Sequence, residues 1–142
     1  EQRSLPIIKE FCQRLRIPKE HSRLALLTAE FHTHCHRAME LRGSTLLKLF
    51  KSLDAFKRTE LFEDFLLCCQ ADSQGRLGFE DRPYPQADYL RSALAAAELI
   101  TAKEIQNLGF TGRQIGEQID QQRCSTLEKF RKENGTTGSS DE

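Results

Sequence analysis

The stretch EFHTHCH, residues 30–36, places His32, His34 and His36 around Cys35 and holds three of the chain's four histidines. Imidazole nitrogens and thiolates are ligands for zinc and other transition metals, so a metal centre is the first chemistry to weigh. On a helix, His32 and His36 are four residues apart and share a face, while His34 points elsewhere. Such a pair can chelate a divalent ion, but a site needs a third and usually a fourth ligand. Asp54 and Asp72 are the available carboxylates, each at the expected end of a helix, where the dipole disfavours negative charge. From these residues alone, histidines on a polar or half-buried helix face are the simpler reading. Cys35 has the neighbours of an activated thiol, but a structural helix cysteine is the simpler account of it as well. The carboxylates of EDRPY, residues 80–84, read as a solvated turn.

A second stretch, NLGFTGRQIGEQIDQQR at 107–123, carries Gly109, Gly112 and Gly116 around the start of an expected helix, with Lys103, Arg113 and Arg123 nearby. A glycine-rich turn at a helix N-terminus presents backbone N–H groups in a phosphate-binding arrangement. The competing reading is a tight helix–turn–helix junction whose glycines permit close packing, and on the residues alone that reading carries more weight. Neither a Gly-x-Gly-x-x-Gly, a Walker lysine loop nor a Gly-x-Ser-x-Gly occurs.

The elements that must position these groups are helical. Leu5, Ile7, Ile8, Phe11, Cys12 and Leu15 recur at three-to-four spacing, which predicts an amphipathic helix ending near Arg16, before Pro18. A second helix is expected over 18–41, with Leu24, Leu27, Phe31 and Ala38 inward. Gly43-Ser44 breaks it, and Ser44 is the expected N-cap of the next helix. Thr59 is the expected cap of a fourth, whose apolar face is Leu61, Phe62, Phe65, Leu66 and Cys69. SQGRLGFEDRPYPQ, 73–86, is irregular. Helices follow over about 86–100, 101–108 with Gly109 as terminal cap, and 112–132. ENGTTGSSDE contains no apolar side chain and reads as a disordered end. The fold class expected is all-α.

The 142 residues carry 21 basic and 21 acidic side chains, so net charge points to no polyanion and any basic face must be local. Five cysteines without framework spacing read as reduced, mostly buried thiols. With no apolar run of membrane-spanning length, the expectation is a cytoplasmic protein without a membrane partner.

LALLTAEFHTHCHRAMELRGSTLLKLFKSLDAFKR, ADSQGRLGFEDRPYPQADYLR and GFTGRQIGEQI together resemble the C-terminal part of bacterial CCA-adding enzymes (tRNA nucleotidyltransferases), of the type that carries an HD phosphohydrolase domain. The resemblance runs from about Leu5 to about Lys129, and the irregular linker is its most specific part. It implies a C-terminal fragment of an enzyme that adds C, C and A to tRNA 3′ ends from CTP and ATP. The family's head domain has a Gly-Ser pair followed by Asp-x-Asp for magnesium, and a nucleotide-selecting Glu-Asp-x-x-Arg; neither is present in this chain. The HD metal site also takes an adjacent His-Asp pair, absent here and expected upstream of Glu1.

By position in the family's pattern, His32 resembles the later histidine of the HD metal site and Asp54 its closing aspartate, with His36 a weaker candidate. The implied metal is nickel or another transition ion, which activates water and polarises a phosphoryl oxygen. The implied division of the chain is a partial HD domain at 1–73, a linker at 74–85, a helical tRNA-binding tail at 86–133 and a disordered end at 134–142. The resemblance also reverses the weighing of the glycines. It assigns tRNA backbone contact to Gly112, Arg113, Gln114, Ile115 and Gly116, by shape instead of sequence. The partners implied are tRNA, CTP and ATP, and a homodimer is considered. Apolar residues Ile8, Phe11, Leu24 and Leu27 are expected at an exposed surface of the first two helices. A self-standing, non-catalytic helical module that binds tRNA or a protein is the alternative function.

Overall fold

The computed structural model describes residues 3–135. Seven α-helices run in the order α1 (Ser4–Arg14), α2 (Lys19–His36), α3 (Gly43–Ser52), α4 (Thr59–Gln74), α5 (Pro85–Glu98), α6 (Ala102–Asn107) and α7 (Arg113–Asn134), with a 3-10 turn at Ala38–Glu40. The described residues contain no strand, as the uniform three-to-four apolar spacing predicts. No helix among them is long and apolar enough to cross a membrane.

The core is built around α3, the α4 face and α5. Leu46, Leu49, Phe50, Leu53, Phe62, Phe65, Leu66, Leu90 and Leu127 are buried in one cluster. Phe50 meets Phe62 edge-on with ring centroids 5.9 Å apart, and Phe56 likewise at 6.1 Å. Residues on both sides of the 74–85 segment therefore share a single core. α7 is its longest member; 22 residues span about 33 Å. Arg123 fastens it, donating to the Ala97 carbonyl at 3.2 Å and the Ile100 carbonyl at 3.2 Å, with its guanidinium 3.9 Å from the centre of the Phe56 ring.

Several local expectations are corrected. The second helix ends at His36 instead of 41, because Arg37 leaves the helical region and the 3-10 turn buries Ala38 against the core. Ser44 is not an N-cap. Helix α3 begins at Gly43, whose N–H is taken by the Glu128 carboxylate of α7 at 2.8 Å. Thr59 is the first residue of α4, with Arg58 at the cap position and no side-chain cap. α7 continues through Asn134, which corrects the expected start of the disordered end at 134; residues 136–142 lie outside the described residues. Of the apolar residues expected at the surface, Phe11 is half exposed, whereas Ile8, Leu24 and Leu27 are half-buried. The exposed stripe of α1 is Ile7, Phe11 and Leu15. All five cysteines are free, with Cys12, Cys35 and Cys69 buried.

Gly43 is where two helices meet at backbone distance. A Cβ there would lie 2.5 Å from the Glu128 nitrogen and 2.7 Å from the Cys124 carbonyl oxygen. Gly43→Ala must push α3 off α7, and a loss of roughly 1–3 kcal/mol is expected in urea unfolding. Glu128 itself is held down to about 2, first by the hydrogen bonds of Arg131 and then by the Gly43 N–H. Its folded-state value lies below the ordinary 4.5, so its stabilisation is complete above that value and is lost as pH falls toward 2. Glu128→Gln is expected to lower Tm at pH 7 and to reduce the fall in Tm between pH 5 and 3, read by circular dichroism.

Candidate functional site

The last turns of α2 carry the three histidines, and the helix packs on α4 and α5. His32 and His36 fall on one face, with ring centroids 5.8 Å apart. They line a cleft of about 640 Å³ with Asp72 at the end of α4 and Arg76, Arg82 and Tyr84 of the irregular loop. His34 lies elsewhere, beside Phe31 and Lys48.

The two cleft histidines are held differently. His32 Nδ1 sits 3.0 Å from the Thr28 carbonyl. A carbonyl only accepts, so Nδ1 carries the proton and the Nε2 lone pair is free in the neutral ring. His36 has both nitrogens engaged: Nε2 donates to the Asp72 carboxylate at 2.8 Å, and Nδ1 is 2.9 Å from the Tyr84 hydroxyl. Tyr84 in turn donates to Cys35 Sγ at 3.2 Å. The Gln86 amide donates to the His36 carbonyl at 3.1 Å.

A chain of polar groups thus runs from exposed Asp72 through His36 and Tyr84 to buried Cys35. The Cys35 thiol is held below its ordinary range, first by a hydrogen bond from the Cys69 thiol, against the opposing effect of burial, and then by Tyr84. Cys69 is pushed up by its bond to Cys35 and by burial. Burial, then Cys35, raises the Tyr84 hydroxyl.

Asp54 lies outside this cleft. It ends α3 in the left-handed region at φ 52°, and its nearest cation is Arg58 at 3.6 Å. Among the described residues no group of three or more His, Cys, Asp or Glu side chains is arranged to hold a metal ion. His32, His36 and Asp54 therefore do not compose a metal site within this chain. His32 alone combines an open ring nitrogen with a backbone carbonyl on the other, the arrangement of a ligating histidine. Tyr84 and Gln86 are the residues sequence reasoning did not select; they lie 48 and 50 positions from His36, and no local spacing signals such a contact.

The start of α7 is open. Gly112 precedes it at φ 56°, in the left-handed region that favours glycine, and Gly109 ends α6 at φ 94°. Gly109, Gly112 and Gly116 all have free space where a Cβ would stand, so none is there to let helices pack closely. Arg113, Gln114 and Gly116 are exposed and Ile115 is half-buried. No side chain caps the helix, and Arg113 has no acidic partner among the described residues.

The chain is 50% identical over 135 residues to the Multifunctional CCA protein of Thioalkalivibrio sulfidiphilus, covering 95% of this chain and 33% of that protein. It is 49% identical over 127 residues to that of Alkalilimnicola ehrlichii, covering 89% of this chain and 31% of the relative. To that of Hahella chejuensis it is 45% identical over 128 residues, 90% of this chain and 30% of the relative. The chain thus spans about a third of the length of the curated relatives it matches. No protein-family model matches it, and no solved structure does. Over nearly its whole length, the chain is related to the bacterial Multifunctional CCA protein family and matches a C-terminal portion of its members.

Proposed function

We propose that the chain acts as a C-terminal portion of a tRNA CCA-adding enzyme and supplies part of its grip on tRNA. The observation that carries the reading is the 50% identity over 95% of the chain to a Multifunctional CCA protein. The substrates of the whole protein are then tRNA, CTP and ATP, and magnesium serves its nucleotidyl transfer outside this chain. The grip is assigned to the start of α7. Gly116 is supporting evidence: an exposed glycine inside a helix costs stability and here relieves no contact. Bare backbone at a helix N-terminus beside an unpaired Arg113 suits the phosphates and sugars of an A-form arm.

His32 is the ligand this chain would lend to an HD-type phosphohydrolase centre that binds a transition metal such as nickel. His36 would have to give up its bonds to Asp72 and Tyr84 to join it, and Asp54 lies outside the cleft. A transition ion held there would supply Lewis-acid chemistry toward a phosphoryl group. The contribution of this chain is to hold His32 with Nε2 unprotonated and open, by fixing the proton on Nδ1 against the Thr28 carbonyl.

The deciding experiment is fluorescence anisotropy of the chain with labelled tRNA across a salt series. Arg113→Ala is expected to weaken binding and to flatten the salt slope by about one unit. Gly116→Ala is expected to stabilise the fold by about 0.5–1 kcal/mol while weakening tRNA binding, a combination that a purely structural glycine does not give. A native chain that fails to bind tRNA removes this reading.

A further inference from the structure

The corner where α1 turns into α2 holds a concentration of positive charge for which neither the fold nor the start of α7 has a use. A groove of about 650 Å³ opens there, rimmed by Lys9, Arg16, Lys19 and Arg23 and floored by apolar side chains, among them Ile17 and Leu27. None of the four cations has an acidic partner among the described residues, and no acidic residue lines the groove. Glu10 and Glu20 are nearby in the chain but outside its lining.

The placement costs stability. Like charges gathered without counter-ions repel one another. Lys19 also stands in the first turn of α2, where the helix dipole disfavours cations. Arg16 is one of two non-glycine residues held at positive φ among the described residues, at 51°. Charge of this kind in a chain with equal numbers of acids and bases is segregation, and an anion in the groove relieves it.

We infer that this groove is a second contact for the ribose–phosphate backbone of RNA, with phosphates on the cationic rim and the sugar against the apolar floor. The identity of the polyanion rests on the tRNA reading above; the groove itself does not. Within α1, Lys9 and Gln13 stand on the side opposite the exposed Ile7 and Phe11.

The test is the same salt-series titration with labelled tRNA, comparing the native chain with Lys9→Gln/Arg16→Gln and with the charge-matched Lys48→Gln/Lys57→Gln. Gln at 16 faces the same backbone conformation as Arg, and circular dichroism checks each fold. The groove variant is expected to lose about two units of salt slope and to raise the dissociation constant about tenfold or more at low salt. The control pair is expected to change the dissociation constant less than twofold. Equal losses in both variants overturn the inference, since general electrostatics then explains the effect. Unchanged tRNA binding in the groove variant overturns it too, including the case where pyrophosphate or CTP alone binds the groove. Loss with Arg113→Ala but not with the groove variant leaves the tRNA reading standing and removes only this inference; absence of tRNA binding by the native chain removes both.

Discussion

The contact between Gly43 and the backbone of α7 is the constraint on which the rest of the molecule depends. Helices with side chains at their interface pack 8–10 Å apart; here only a hydrogen atom separates the first residue of α3 from Cys124 and Glu128. The approach brings the Glu128 carboxylate onto the Gly43 N–H, and α3 gains the cap that its own sequence lacks. It also fixes α7 against α3 near the C-terminal end of α7, while Arg123 fixes the middle to the end of α5. The first turn of α7 lies beyond those anchors, and there Arg113, Gln114 and Gly116 are exposed.

The second dependence is on the irregular segment. It carries two glycines and two prolines between Ser73 and Gln86, the composition of a flexible connector, yet it folds back onto α2. Turns at Arg76–Phe79 and Phe79–Arg82 shorten it, and the Gln74 amide holds the Arg82 carbonyl at 2.9 Å. Tyr84 then reaches both His36 and Cys35. The histidine cleft is therefore walled by the segment that joins α4 to α5, and the geometry at His36 depends on the same stretch that sets the direction of α5.

Helical periodicity made the elements legible, because each helix buries one face in the shared core and its apolar spacing reports that face. The termini were less legible. Ser44 and Thr59 have the right chemistry for N-caps, but the cap of α3 comes from a carboxylate 85 positions away, and no local pattern encodes it. Gly109 was legible, since a helix-ending glycine at positive φ is a local requirement. In the site, the four-residue spacing of His32 and His36 gave their common face directly. Which carboxylate joins them was not legible: Asp54 and Asp72 both end helices, and only the packing of α4 on α2 brings Asp72 to His36.

Equal numbers of acidic and basic residues conceal how differently the cations are used. Arg91 is held by Glu63 and Asp88, Lys51 by Asp120, and Arg131 by Glu128. These pairs join α5 to α4, α3 to α7, and neighbouring turns of α7, and they neutralise the flanks of the core. Arg113 and the rim of the α1–α2 groove have no such partners. Exposed pairs of the first kind contribute little stability each, but pairing removes their cations from the field seen by a polyanion. Unpaired cations remain to attract phosphate, among them Arg113 at the start of α7 and the four on the rim of the α1–α2 groove. A neutral total is thus compatible with a nucleic-acid surface, because the binding free energy follows the local density of uncompensated charge and the counter-ions released there.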